Sequence, residues 1–351
     1  MITIHDVAER AGVSIATVSN VINKTKKVSP ATASKVQDAL KELNYVPNSM
    51  AKSLKTNTYN SIGVIAEEIS SFNTPPIIDA ICAYFDLHGY TVTLCNLRSY
   101  SHSEYDTALL RSSLNLLEAS RARGIIYVGA NSGNVSHIRH LIQLPVVFAY
   151  CTASPEDHTI TYDNFSAAKM AAQLLVRRGH RRIGLITGSL DQEFVHQRII
   201  GFRAAMVDAR LTLPPSFITA GDWSYELSYE QACRLLSMPD RPTAIFAMND
   251  PMACAVIAAA HQCHLRIPED LSVIGFDDRS CSAYSYPSIT TLHIPLYDIG
   301  DLAARSLLRM LSGEKIDMDQ QLPCSLVERN SVGDAPDVPN TAPIKNAGEL
   351  S

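Results

Sequence analysis

Residues 2–23 constrain this chain more than any other stretch. They read Ile-Thr-Ile-His-Asp-Val-Ala-Glu-Arg-Ala-Gly-Val-Ser-Ile-Ala-Thr-Val-Ser-Asn-Val-Ile-Asn. Val7, Ala11, Val18, Val21 and Ile22 recur at helical spacing, which predicts two short helices sharing a small apolar seam. Ala8 is small where the helices would cross, and Gly12 falls where a tight turn needs a positive φ. Ser14 is placed to cap the second helix. The result is a helix-turn-helix, whose second helix offers its N-terminal face to a DNA major groove. The alternative is any small helical hairpin. Against it, the exposed face carries Ile15, Ala16, Thr17, Ser19 and Asn20, short and nearly uncharged, where a merely solvated face carries Glu and Lys.

The charge balance agrees. Residues 1–60 hold eight Lys/Arg against four Asp/Glu, whereas the whole chain carries a net charge of −5. A basic head on an acidic body implies that one end meets a polyanion. At 351 residues, with 46% hydrophobic and 19% charged residues, the chain predicts two or three domains with a large core. No apolar run reaches the ~18 residues that argue for a membrane span. His5, Asp6, Glu9 and Arg10 interrupt any signal-peptide core, so the expected location is cytoplasmic. The eight cysteines form no C-x-x-C pair, which predicts small buried hydrophobes rather than disulfides. No metal and no cofactor is expected.

Ser29-Pro30 reads as a cap followed by proline at the first helical position, opening a third helix to about Leu43, with Val36, Ala39, Leu40 and Leu43 inward. This gives a headpiece over 1–46. Residues 47–60 read as a hinge, with about two turns of helix over 48–55 that are marginal alone. From Ser61, short β-rich runs alternate with helical patterns. The runs are 61–66, 91–95, 125–129, 145–150, 182–187, 244–248 and 272–276; the helices are 76–88, 103–122, 164–178, 195–209, 225–237, 251–264 and 297–312. This predicts an α/β core over 61–332, built as two lobes of doubly wound parallel sheet with crossings near 162 and 292. Such folds bind ligands at the carboxyl ends of their strands. Residues 333–351 predict a flexible tail.

Several segments together resemble the lactose/galactose repressor family of bacterial transcription regulators, over residues 2 to about 332. They are Ile4-His-Asp-Val-Ala, Val13-Ser-Ile-Ala-Thr-Val-Ser, Leu43-Asn-Tyr-Val-Pro-Asn, Ala51-Lys-Ser-Leu54, Arg178-Gly-His-Arg-Arg-Ile-Gly184 and Leu271-Ser-Val-Ile-Gly-Phe-Asp-Asp278. The resemblance implies a DNA-binding headpiece, a hinge helix, a core like the periplasmic sugar-binding proteins, and a homodimer on double-stranded operator DNA.

Carried over position by position, the resemblance implies that Ile15, Ala16 and Asn20 read bases. The first two would meet thymine methyl groups, and Asn20 would pair with an adenine. Thr3, Ser14, Thr17, Asn23 and Tyr45 are candidates for phosphate contacts, which position without specifying. Leu54, flanked by Ala51 and Lys55, matches the hinge leucine that wedges into the minor groove of a kinked operator. Its alternative is packing of hinge helix on hinge helix, and both can hold.

Arg198, Trp223, Asn249 and Asp277 match positions that hold effector in sugar-responsive members. A Trp ring stacks on the apolar face of a pyranose, and Arg, Asn and Asp give fixed donors and acceptors for its hydroxyls. Each has a structural alternative: Asn249 and Asp277 as helix caps, Arg198 as a partner of Asp191. Asp163 and Gln192 fall on the expected cleft wall, and Tyr150 is placed to line it. The family's aromatic pair after the first strand is replaced here by Asn73 and Thr74, with Phe72 shifted. A site position that is often acidic in sugar binders falls on Ala149.

The expected function is an effector-controlled repressor, released from a palindromic operator by a small molecule of carbohydrate type. The opposite sign, a corepressor of non-sugar type, occurs in purine-responsive members. An enzyme would need a catalytic constellation, and no G-x-S-x-G, H-E-x-x-H, phosphate-loop or G-x-G-x-x-G pattern is present. His180 reads as part of a helix-to-strand turn. A solute-binding transport protein would have no use for a helix-turn-helix. The stretch after Gly333 lacks leucine heptads, which favours a dimer over a tetramer.

Overall fold

The computed structural model describes residues 2–23, 26–45, 60–98 and 107–336. The hinge residues Ala51, Leu54 and Lys55 lie outside the described residues. The chain divides into two compact units, 1–60 and 61–351.

The first unit holds α1 (Ile4–Ala11), α2 (Ile15–Asn23) and α3 (Pro30–Glu42). Each start is set locally. Thr3 and Asp6 form a capping box at α1, with the Thr3 N–H donating to the Asp6 carboxylate at 2.7 Å. Gly12 takes φ 66°, and the Val13 N–H returns to the Ala8 carbonyl at 3.0 Å, closing α1. Ser14 Oγ accepts the Thr17 N–H at 3.2 Å, and Ser29 Oγ accepts the Thr32 N–H at 3.2 Å, with Pro30 following as the first helical residue. Val7, Ala8, Val18, Val36 and Ala39 are buried between the helices, with Ala11, Val21, Ile22, Leu40 and Leu43 half-buried around them. An exposed Arg10–Glu42 ion pair joins α1 to α3 at 2.7 Å; such pairs contribute little.

The second unit begins with β1 (Ser61–Ala66), α4 (Thr74–Leu87), β2 (Thr91–Asn96), α5 (Thr107–Ala119), β3 (Ile125–Val128), β4 (Val146–Ala149) and β5 (His158–Tyr162). There follow α6 (Asn164–Arg177), β6 (Ile183–Thr187), α7 (Glu193–Asp208), β7 (Ile218–Ala220), α8 (Tyr225–Leu236), β8 (Ala244–Ala247), α9 (Asp250–Gln262), β9 (Ser272–Ile274) and α10 (Ser280–Tyr284). It closes with β10 (Thr291–His293), α11 (Leu296–Leu311), β11 (Asp319–Leu322) and β12 (Ser325–Val327).

One lobe is built on a parallel sheet in the order β11-β5-β4-β3-β1-β2, the other on a parallel sheet in the order β7-β6-β8-β9. The inner strands are buried along nearly their whole length, as helices on both faces of a parallel sheet require. Returning to the first lobe, α11 crosses α4 so closely that a Cβ on Gly300 would lie 2.3 Å from the Ile77 carbonyl oxygen.

Three features differ from the sequence reading. First, β5, β7, β10, β11 and β12 are additional strands; each is short, and several carry mixed polarity. Second, the chain crosses between lobes three times rather than twice. After the crossings near 162 and 292, β11 joins the first sheet, and β12 pairs antiparallel with β10. The chain then returns to the second lobe, where the Val273 N–H donates to the Ser331 carbonyl at 2.8 Å. Third, the segment read as tail from 333 is docked at its start. The Gly333 N–H donates to Ser272 Oγ at 3.0 Å, and the Ala335 N–H to the Arg178 carbonyl at 2.8 Å. His180 is fully buried there, against Thr243, Ser272 and Gly333, and burial lowers its pKa. The cysteines are free; Cys95, Cys151 and Cys324 are buried, and the other five are half-buried rather than buried as expected.

Candidate functional site

Two candidate sites stand in the two units. In the first, α2 presents Ile15, 37% exposed, with the exposed Ala16 beside it; Thr17 and Asn20 are half-buried on the same helix. Together they give the start of this helix an apolar, uncharged surface. No charged residue interrupts α2, so nothing on it repels or outcompetes a base edge. Ser14 and Thr17 share a hydroxyl–hydroxyl hydrogen bond at 2.9 Å at this N-terminus. Thr3 has a second role that the sequence reading missed: its hydroxyl donates to Asp6 at 2.9 Å and accepts the Asp6 N–H at 3.4 Å. The signal was present as Thr-x-x-Asp. Those hydrogen bonds hold the Asp6 carboxyl below its ordinary pKa. Tyr45 is half-buried against the headpiece core, and Asn23 ends α2.

In the second unit a cleft of about 490 Å³ opens at the carboxyl ends of both sheets. Six of the nine expected effector residues line it: Tyr150 after β4, Gln192 and Arg198 after β6, Trp223 after β7, Asn249 after β8 and Asp277 after β9. The remaining three do not. Asp163 caps α6, accepting the Ser166 N–H at 2.8 Å. Asn73 and Thr74 are fully buried beneath the wall, and Asn73 donates to the Gly129 carbonyl at 3.2 Å. The wall itself is Ser70, Ser71 and Phe72, so the aromatic group in this loop is Phe72.

Arg198 is 2% exposed and turns inward, not toward Asp191. It donates to Asn164 Oδ1 at 2.8 Å, to the Met248 carbonyl at 2.7 Å and to the Tyr162 hydroxyl at 2.8 Å. Its guanidinium lies 3.7 Å from the Phe276 ring centroid. Trp223 Nε1 donates to Gln192 Oε1 at 2.9 Å, and its ring stacks on Phe194. A Cβ on Gly188 would fall 1.9 Å from the Trp223 ring, so that glycine makes room for the indole. Asn249 is both cap and cleft wall: its Oδ1 accepts the Met252 N–H at 2.7 Å. Tyr150 stacks on Tyr162, and burial pushes its hydroxyl well above the ordinary phenol range.

Tyr150, Trp223 and Asp277 all take positive φ, at 61°, 62° and 105°. Each such residue stores ~1–3 kcal/mol of backbone strain. Burial pushes the Asp277 carboxyl up to about 6, while Arg279 and Arg198 pull it down. Burial and the Asp277 charge push the fully buried Asp250 up to about 8, against hydrogen bonds from the Thr291 hydroxyl and the Arg279 N–H. The sequence reading missed Asn131, Ser132, Tyr162, Phe194 and Arg279 on the cleft wall. Tyr162 was findable had His158–Tyr162 been read as a strand.

Residues 3–48 match the family described as bacterial regulatory proteins, lacI family, and residues 172–332 match a periplasmic binding protein-like domain. The HTH-type transcriptional repressor PurR of Proteus mirabilis (strain HI4320) is 36% identical over 343 residues, covering 96% of this chain and 98% of that protein. The PurR repressor of Aliivibrio salmonicida (strain LFI1238) is 36% identical over 316 residues, covering 89% and 92%. Among solved structures, the lac repressor dimer bound to operator and the anti-inducer ONPF aligns with TM-score 0.80 at 28% identity, covering 95% of this chain and 99% of that one. The transcriptional regulator CelR in complex with cellobiose aligns with TM-score 0.66 at 25% identity, covering 94% and 100%. A headpiece with an uncharged second helix and a core with a polar and aromatic cleft thus meet full-length repressor relatives: the chain belongs to the lacI family of bacterial regulatory proteins, as a DNA-binding transcriptional repressor with a small-molecule effector, and is not an enzyme.

Proposed function

We propose that the chain acts as a homodimer on a two-fold operator and is released by a carbohydrate-class inducer. The observation that carries the effector class is the composition of the cleft. Aromatic planes (Phe72, Tyr150, Phe194, Trp223) alternate with fixed polar groups (Gln192, Asn249, Asp277). An apolar ring face and hydroxyls at fixed angles fit such a lining, and a wholly apolar ligand would leave the remaining hydrogen-bonding capacity of these groups, such as the Gln192 and Asn249 amide N–H groups, unused. Of the similar structures, the CelR complex holds cellobiose.

Ile15, Ala16 and Asn20 read bases, with Ser14, Thr17 and Tyr45 against phosphates. Leu54, outside the described residues, is the proposed minor-groove wedge. Occupancy of the cleft weakens operator affinity only to the extent that the ligand prefers one lobe arrangement over the other.

Trp223 is the chain's one tryptophan, so its fluorescence reports the cleft without a label. Titration of the full chain with mono- and disaccharides should change that emission, and the responding sugar should release a selected palindromic duplex in a gel shift. Tighter duplex binding with the sugar would reverse the sign to corepression. Silence from every sugar would remove the carbohydrate reading.

A further inference from the structure

Arg279 stands apart from the other polar groups of the cleft. Arg198 is held by three acceptors, Trp223 by Gln192, and Asn249 by the α9 N-terminus. Arg279 Nε donates to Asp277 Oδ2 at 3.0 Å, and its guanidinium lies 3.6 Å from the centroid of the Phe72 ring, on the opposite lobe. Its backbone is fixed, because its N–H donates to Asp250 Oδ2 at 2.6 Å. Its two terminal nitrogens, however, have no partner among the described residues. The side chain is 30% exposed and lines the cleft. This leaves four N–H groups of a planar fork unused, two of them on its end-on edge, with the fork held in place.

The charge around it is unbalanced in the same direction. Among the described residues, the charged groups lining the cleft are Arg198, Arg279 and Asp277, two guanidiniums against one carboxylate. Glu67 and Glu68, at the end of β1, are engaged elsewhere: Glu67 by the Tyr127 hydroxyl and the Ala130 N–H, Glu68 by Ser70. A further unmet group sits on the facing wall, where Ser132 Oγ is buried with no hydrogen-bond partner among the described residues. An end-on guanidinium edge matches the paired oxygens of a carboxylate or phosphate and gives little advantage to a neutral hydroxyl.

We infer that the effector is an anionic one, carrying a carboxylate or phosphate head that Arg279 grips end-on between Phe72 and Asp277. This rests on the proposal that the cleft is the effector site and narrows its ligand from sugars in general to sugar acids or sugar phosphates. Phe72 and Arg279 come from different lobes, so the anion would also tie the lobes together.

The test is a Trp223 fluorescence titration of the full chain with matched sets: glucose, glucuronate and glucose 6-phosphate; galactose, galacturonate and galactose 6-phosphate; and inorganic phosphate alone. One anionic member should bind at least about tenfold more tightly than its neutral parent, the size expected for charge-assisted hydrogen bonds. Which member responds separates carboxylate from phosphate. R279Q should cancel the difference while moving the neutral parent much less, and R279K, which keeps the charge but loses the fork, should fall between. Melting and duplex binding check that both variants are folded; if R279Q is not, R279K carries the comparison. A neutral parent that binds as tightly as its acid, or a preference that survives R279Q, overturns the anionic assignment and leaves the carbohydrate reading standing. Response to phosphate but to no sugar keeps the anion and removes the sugar. Silence from all removes both.

Discussion

The headpiece and the core hold their candidate functional residues in opposite ways. In the headpiece, five small buried side chains make the core, and the residues proposed to read bases are among those left over: Ile15 and Ala16 stand exposed at the start of α2. In the larger unit, the cleft residues are themselves packing. Arg198 is 2% exposed, Asn249 caps a helix, and Trp223 fills the space left by Gly188. Binding and stability are therefore separable in the first unit and entangled in the second.

The largest expected effect tests the entanglement. Arg198→Met leaves Asn164, Tyr162 and the Met248 carbonyl without their donor, which costs about 3 kcal/mol or more. The melting temperature of the core should fall together with effector response in a fluorescence titration; loss of response at unchanged stability would break the comparison. Next, Val18→Ala removes a fully buried side chain from a very small core, at about 2 kcal/mol or more. Duplex binding should be lost near the physiological temperature, while sugar titration of Trp223 stays as it was.

Asn20→Ala is smaller and sharper. It should relax base choice at one position per half-site by about 1–3 kcal/mol with the headpiece melt unchanged, read by binding to a duplex library. A uniform loss across sequences would make Asn20 a backbone contact.

The smallest effect is a pH dependence. Asp250 and Asp277 both have raised pKa values in the fold, to about 8 and about 6. The folded state thus keeps protons that the unfolded chain releases, and the stability they give is complete below about pH 4 and lost as pH rises toward 8. Asp250→Asn keeps the shape of the protonated carboxyl and removes the largest of these changes. Between pH 5 and 8, the unfolding free energy from urea titrations should then depend less on pH, by at most about 1.4 kcal/mol per pH unit. Buried His180, whose pKa is lowered, works the other way, losing stability as pH falls below its ordinary range.

The same contrast explains what could be read from the chain alone. In the headpiece the decisive signals are local: Gly12 at positive φ, Ser14 and Ser29 as caps, and Pro30 after the cap all act within four residues. Strands were legible where four or more residues are buried on both faces, as in Ile125–Val128 and Ala244–Ala247. His158–Tyr162 and Asp319–Leu322 were not, because threonine and glutamine mask the pattern on strands fixed by their neighbours. The third crossing depends on Ser331 meeting Val273 and Thr290, contacts that no local pattern announces. Asn73 and Thr74 were placed on the cleft wall because they stand where an aromatic pair was expected; a small shift in the loop puts Phe72 there and buries them. Arg279 had no local mark that sets it apart from a surface arginine. Its meaning comes from Asp277 and from Phe72, more than 200 residues earlier.

The three passages between the lobes give the cleft its mechanics. Two of them, through β10 and β12, are zipped into a single antiparallel ribbon, and the third runs separately from β5 into α6. Tethers of this kind act as a door hinge with two leaves: the halves can swing, but sliding one past the other would tear the ribbon's hydrogen bonds. The signal that leaves an occupied cleft is therefore expected to be an angle rather than a displacement. Distances measured across the mouth should change with ligand, while those along the hinge line stay fixed.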